Sequence, residues 1–245
     1  MSLTRRAVGA LSRRLSRPEL MGALYPGARR AEDEELAMGA ILAAALRADA
    51  TYVDVGTNRG QLLREAVRVA PRGRHVAFEP IPALAAELKR AFPAVDCRRL
   101  ALAGAPEVTQ FCYFAGLDGW SGLRRNPEIN DARGRPEYIT VTVSTLDAEL
   151  AGLRPSVIKI DVEGAEVAVL EGGRAVLAGA GPVVIFEHVP AAAALYGGSS
   201  LALWELLDGL GYQIFTVTGE GPFAQDAFAG ASGVVNWLAR PGLAA

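Results

Sequence analysis

Lysine is nearly missing from this chain. Lys89 and Lys159 are the only two among 25 basic residues, and the other basic positions are arginine. With so many alanines, that bias points to a GC-rich coding sequence rather than to a function. Cysteine occurs only twice, as Cys97 and Cys112. No C-x-x-C spacing is present, which argues against a zinc centre or a redox pair and fits a reduced, cytoplasmic protein. The net charge of −2 argues against a general nucleic-acid binder, which needs a basic surface to neutralise phosphates. The apolar run Leu36–Leu46 is bounded by Glu35 and Arg47 and is too short to cross a bilayer. The arginine pairs near the N-terminus lack the apolar core and cleavage site of a signal peptide. At 245 residues the chain is long for one compact domain and short for two; one is expected.

What is present centres on Thr51-Tyr52-Val53-Asp54-Val55-Gly56-Thr57-Asn58-Arg59-Gly60. A short run of β-formers meets a glycine that can take the positive φ of a sharp strand-to-helix turn. Gly60 lets the following helix approach either the sheet or a ligand. From Gln61 the apolar spacing becomes helical, and a second strand, His75–Phe78, delivers Glu79-Pro80 at its carboxyl end. In an open α/β sheet that edge is where nucleotide-like ligands bind, and a carboxylate there can accept from both ribose hydroxyls. A dinucleotide site needs a middle glycine so that a pyrophosphate can sit on backbone N–H groups. Here that glycine is missing, and Asp54 precedes the turn. An acid repels a diphosphate but attracts an amino group, so the pattern favours S-adenosylmethionine over NAD.

Residues 1–50 read as an N-terminal helical cap and 51–245 as the cofactor-binding domain. Residues 1–30 form a basic amphipathic helix by spacing, serving either as a partner surface or as a solvated cap. A second helix is expected from Glu32 to Leu46, with its acids in the first turn. Beyond Glu79, Pro82 opens a helix and a third strand is expected from Val95 to Leu102. Strands near Val108–Phe114 and Tyr138–Val143 flank residues 115–137, which read as an insertion over the substrate side. Its Trp120 either stacks on a ligand or anchors the loop. The α/β rhythm then resumes, with strands expected at 156–163, 182–186, 212–217 and 234–238, and a helix from 165 to 177. Short strands alternating with helices imply a mostly parallel sheet, the last strand being antiparallel because no helix precedes it.

Val157-Ile158-Lys159-Ile160-Asp161-Val162-Glu163 is the second informative run. Alternation places Lys159, Asp161 and Glu163 on one face. A lysine in a covered central strand is costly unless paired, so it is expected to be buried beside a carboxylate. These residues form either an ordering ion-pair network or reacting groups. Glu187-His188 ends the neighbouring strand and is expected to open on the same edge. There an imidazole can take a proton from a hydroxyl or amine. His75 starts a strand at the far edge and reads as structural.

Together, Asp54–Gly60, Phe78-Glu79-Pro80, Ile158–Glu166 and Phe186-Glu187-His188 resemble the FkbM family of methyltransferases over about residues 50–215. Thr57 departs from the alanine usual at that position. The resemblance implies a class I methyltransferase fold, Rossmann-like, with a seven-stranded sheet. It implies S-adenosylmethionine held by Asp54, Gly56, Thr57, Asn58, Gly60, Glu79, Pro80 and Asp161. It also implies O-methylation of a sugar or secondary metabolite, or N-methylation of a peptide side chain. Asp161 and His188 are the expected bases, with Glu163 and Glu187 orienting them and Lys159 in support. Catechol-type methyltransferases hold metal at these same strand ends, so a divalent ion on Asp161, Glu187 and His188 is left open. A Pro-Pro-aromatic stretch for a flipped base is absent after Asp161, which argues against a nucleic-acid methyltransferase. A non-catalytic adenosyl-binding module would leave Asp161 and His188 unexplained.

Overall fold

The computed structural model describes residues 26–127 and 134–242. The expected basic helix over residues 1–30 lies almost entirely outside these, as does part of the 115–137 segment. Helix α1 (Pro26–Ala45) is followed by β1 (Thr51–Val55), α2 (Gln61–Val69), β2 (Val76–Phe78), α3 (Pro82–Ala91) and β3 (Asp96–Arg98). Three further strands, β4 (Ala101–Leu102), β5 (Glu107–Tyr113) and β6 (Glu137–Ser144), precede the short helix α4 (Leu146–Glu149). Then come β7 (Pro155–Ile160), α5 (Glu166–Glu171), α6 (Arg174–Ala180), β8 (Val183–Glu187), α7 (Pro190–Ala194) and α8 (Ser200–Gly209). The chain closes with β9 (Tyr212–Thr216), α9 (Gln225–Ala229) and β10 (Asn236–Pro241).

Among the described residues the main sheet has seven strands in the order β3-β2-β1-β7-β8-β10-β9. All pairings are parallel except those of β10, which runs antiparallel between β8 and β9. The expected mostly parallel Rossmann-like sheet with an antiparallel last strand is present, although a short helix, α9, does precede that strand. Strict alternation divides its two faces. Val53, Val55, Ile158, Ile160, Val184 and Phe186 face one apolar layer with α5, α6, α8 and α9. Tyr52, Val157 and Ile185 face the other, against Leu42 within α1 and Leu46 just after it, and Leu63 and Ala66 of α2.

The expected third strand, 95–102, divides into two. β3 joins the main sheet, whereas β4 pairs with β6 in a separate three-stranded sheet, β4-β6-β5. The helix expected over 165–177 also breaks, at Gly172-Gly173. A Cβ on Gly172 would meet the Ala103 carbonyl at 2.3 Å, and one on Gly173 would meet Leu146 at 2.6 Å. The bare backbone lets α5 and α6 close on those neighbours, and the Asp147 carboxylate accepts from the N–H groups of Ala175 and Val176 at 3.0 and 2.8 Å. α1 begins six residues before Glu32, so Glu32–Glu35 lie inside the helix rather than in its first turn. Glu34 is buried and accepts from Asn236 at 2.7 Å and Arg30 at 3.0 Å, tying α1 to β10.

Candidate functional site

The β1–α2 turn is fixed to the end of β2. The N–H groups of Gly56 and Thr57 both donate to the Phe78 carbonyl at 3.1 Å. The Thr57 hydroxyl donates to the Asp54 carbonyl at 3.0 Å, so the threonine side chain is accommodated within the turn. Gly56 has φ +77, and a Cβ there would sit 1.8 Å from the Asp161 carbonyl oxygen. Only glycine lets β1 and β7 end this close together. Gly60 serves differently. A Cβ on it would meet Phe92 and Leu88 at 2.7 and 2.9 Å, so its bareness accommodates core packing and not a ligand.

Glu79 is buried. Its carboxylate accepts from the Asn58 N–H at 2.8 Å and the Ile81 N–H at 2.9 Å. Burial raises its pKa to about 7, with the two backbone donors opposing the rise. Beside it lies a slot of about 80 Å³ bounded by Pro80, Leu102 and Phe111. A larger cavity, about 1260 Å³, continues past Asp54, Thr57, Asn58 and Lys159 to α1. Asp54 is buried, and its Oδ1 has no hydrogen-bond partner. Burial raises its pKa against the pull of Lys159.

Asp54 and Lys159 are register partners on β1 and β7, so their side chains emerge side by side on the α1/α2 face. The Lys159 ammonium lies 2.9 Å from Asp161 Oδ2 and 3.9 Å from Asp54 Oδ1, and it donates to the Gly56 carbonyl at 3.3 Å. The carboxylate-paired lysine expected from the strand pattern is present, half-buried rather than fully buried, with 15% of its side chain exposed. Burial disfavours its charge, but Asp161 and Asp54 outweigh that and hold its pKa above the ordinary lysine value. Asp161 is likewise disfavoured by burial, yet Lys159 holds its carboxyl below the usual range.

β7 ends at Ile160, so the alternation expected to carry Glu163 stops short of it. A turn brings Glu163 in instead, with φ +58, a conformation rare for a side-chain-bearing residue. Carboxylate oxygens of Asp161, Glu163 and Glu187 lie within 4.8 Å of one another. Burial, then Asp161 and Glu166, lift the Glu163 carboxyl to about 8. Burial, then Asp161, lift that of Glu187 to about 10. Glu163 and Glu187 border a third cavity, about 380 Å³, together with Trp120 and Leu195. Trp120 belongs to a 3-10 turn, Asp118–Trp120, and is 38% exposed at this rim. The turn is held by Arg59, which reaches Asp118 at 2.5 Å, and by a bridge pairing Cys112 with Gly122.

His188 is not among these groups. Adjacent residues of a strand point to opposite faces, so His188 follows Phe186 and not Glu187. It is buried, bonds Ser200 Oγ through Nε2 at 2.8 Å, and stacks on Phe228 at 5.6 Å. Burial lowers its pKa. The metal set left open on Asp161, Glu187 and His188 therefore does not assemble. His75 is structural, as expected: its Nδ1 accepts from the Tyr52 N–H at 3.2 Å while Nε2 bonds the Ala70 carbonyl at 2.8 Å.

The methyltransferase FkbM domain matches residues 54–214, more than half of the chain. This chain belongs to the FkbM methyltransferase family. It is therefore an S-adenosylmethionine-dependent enzyme. It is 36% identical over 95 residues to the AMB antimetabolite synthetase AmbE of Pseudomonas aeruginosa, a match covering 37% of this chain and 4% of that one. Among solved structures it is similar to an FkbM methyltransferase from Methylobacillus flagellatus KT, with 16% identity and TM-score 0.49, over 80% of this chain and 44% of that. It is also similar to a Bacillus cereus O-methyltransferase, with 12% identity and TM-score 0.44, over 86% and 81%. The chain thus spans less than half the length of the first two relatives.

The residues of this FkbM methyltransferase fit the cofactor. The buried Asp54 Oδ1, within ion-pair reach of Lys159 but without a hydrogen-bond donor, suits an ammonium group, and the slot beside Glu79 suits a flat apolar ring attached to a hydroxylated sugar. Sequence reading passed over Glu166 as a site residue. It is buried, accepts from the N–H groups of Val162 and Gly164 at 3.2 and 3.1 Å, and so holds the turn that presents Glu163. Its signal was its place at the end of the Lys159–Glu166 run. Among the described residues no helix is long and apolar enough to cross a membrane.

Proposed function

We propose that this enzyme methylates a hydroxyl of a sugar or secondary metabolite that enters the cavity beneath Trp120. The observation that carries the reading is that Glu163, Glu187 and the exposed face of Trp120 border one space, while Asp161 of the same carboxylate group borders the cofactor cavities. Hydroxyls donate to carboxylates, and a sugar or fused ring packs on an indole face. The partial similarity to an antimetabolite synthetase supports a secondary-metabolite acceptor.

In this reading Asp54 receives the amino group of the methionine moiety and Glu79 the ribose hydroxyls. Gly56, Thr57 and Asn58 shape the turn between them, and Pro80 borders the adenine slot. The sulfonium supplies a methyl already activated for transfer. The protein aligns the acceptor oxygen behind the C–S bond and excludes water, which is where most of the rate is gained. Asp161, just past the end of β7, receives the acceptor proton; Lys159 keeps it ionised and in place, and Glu163 and Glu187 orient it. His188 supports the wall of the domain from the opposite face.

A panel of hydroxylated metabolites, sugars and peptides, incubated with the enzyme and cofactor and read by mass spectrometry, tests the acceptor class. A 14-Da gain on hydroxylated compounds is expected. Gain confined to peptide side-chain nitrogen would replace this reading with the peptide one.

A further inference from the structure

The chain beyond β5 starts from a pinned base. Cys112 and Gly122 exchange backbone hydrogen bonds at 2.9 and 3.1 Å, and the Phe114 N–H donates to Ser121 Oγ at 3.0 Å. Between these ties the chain forms the 3-10 turn Asp118–Trp120, which stands between the three cavities. Asp118 borders both cofactor spaces, Trp120 borders the larger of these and the acceptor cavity, and Gly119 borders all three. One short turn is therefore a wall for cofactor and acceptor alike.

Arg59 ties the tip of that wall to the cofactor turn. Asn58 takes φ +49, and its N–H is committed to Glu79. The next residue, Arg59, leaves the turn outward, with its guanidinium 2.5 Å from Asp118 and 3.8 Å from Glu87 of α3. The pair is uneven: the Arg59 side chain is 62% exposed and that of Asp118 only 10%. A fully exposed ion pair contributes little. A largely buried carboxylate that loses its donor, however, must turn towards water, and Asp118 does so by carrying its turn away from the cofactor spaces. We propose that Arg59 and Asp118 are positioning residues of the transfer reaction. The pair holds the Trp120 turn against the cofactor turn, so that bound S-adenosylmethionine is retained and the acceptor wall is set in the same step. Retention concerns the cofactor alone; the acceptor half rests on the cavity proposed above.

Surface plasmon resonance on the immobilised full chain, reading release of S-adenosylmethionine, tests the retention. Arg59→Gln and Asp118→Asn should each raise the dissociation rate about three- to fivefold. The double variant should be no faster than either single, because both changes remove one interaction. Arg59→Lys should stay nearer the unmutated rate. Arg154→Gln, an equal loss of charge at an exposed site bonded to the Gly179 carbonyl, should leave the rate unchanged. Rising salt should speed release from the unmutated chain but not from Arg59→Gln. Melting temperatures of the same samples show that each variant is folded. Fluorine NMR of the fluorotryptophan-labelled chain, with the Trp120 signal assigned by its loss in Trp120→Phe, gives a second readout. Saturating S-adenosylmethionine should shift that signal in the unmutated chain and shift it less in Arg59→Gln. Rates within about twofold of the unmutated one in both single variants, or effects that add in the double variant, would overturn the proposal. So would a Trp120 signal indifferent to the cofactor. None of these results touches the acceptor class, which the mass-spectrometric panel decides separately.

Discussion

Lys159→Met keeps the length of the side chain and deletes the charge that stands 2.9 Å from Asp161 and 3.9 Å from Asp54. At an effective dielectric constant of about 20, those two attractions are worth roughly 6 and 4 kcal/mol before desolvation. Desolvating the three ions offsets several kcal/mol each, so the net worth of the triad is small. Removing one member is a different matter, because Asp54, buried, and Asp161, half-buried, lose their counter-charge. Side-chain exposure is 15% at Lys159 and 2% at Asp54 but 33% at Asp161, so water replaces the ammonium in part at Asp161 and hardly at all at Asp54. The expected loss is about 3–5 kcal/mol, a large share of the 5–15 kcal/mol typical of a domain. Urea unfolding should show a lower midpoint with an unchanged slope. Lys159→Met/Asp161→Asn should recover part of the loss by removing one stranded charge. Because Lys159 is held above its ordinary pKa, its contribution is complete below the unfolded value near 10.4 and fades as pH rises through the folded one. Asp161 is held below its ordinary value, so its share fades only as pH falls through that lower folded value. In the mutant, Asp54 and Asp161 lose the ammonium that favours their ionised forms, so the difference between wild type and mutant should shrink as pH falls and those carboxylates take up protons. A loss under about 1 kcal/mol, or a double mutant no more stable than the single, would refute the reasoning.

Glu79→Ala should weaken S-adenosylmethionine binding at least about tenfold in calorimetry, since two charge-assisted hydrogen bonds of about 1.5–3 kcal/mol each are lost. Because burial lifts this carboxyl to about 7, wild-type affinity should decline as pH falls below that value, and the alanine variant should lack this dependence. His188→Ala should lower the melting temperature, because Ser200 loses its partner and Phe228 its stacking neighbour. Turnover per folded molecule should stay within a few-fold; a drop of about 10² or more would restore the imidazole as the base.

The strand-and-turn periods were legible without coordinates. The β-formers Tyr52, Val53 and Val55 before Gly56, and the helical spacing after it, define the β1–α2 unit whatever surrounds them. The charged positions 159 and 161 fall on one strand face because alternation is a local property. The pairing of Lys159 was legible for a similar reason, since a lone ammonium in a covered strand has no stable alternative. Glu187 and His188 show where such reasoning ended. Both stand at the end of β8, and the same alternation separates them, yet which face meets the cofactor cavity depends on the packing of α8 and α9. Gly60 could have faced the sheet or a ligand; the position of Phe92, thirty-two residues away, decided it.

The sequence by itself determined most of the strands and helices, the parallel direction that βαβ units impose, and the identity of the family. Those follow from local periodicity, turn chemistry and a motif contiguous in the chain. Only the tertiary structure decided that Glu163 enters the site through a left-handed turn braced by Glu166. It alone decided that residues 101–102 leave the main sheet, and that His188 is buried against Phe228. Each of these depends on contacts between segments distant in sequence, where close packing and the satisfaction of buried polar groups override the local pattern.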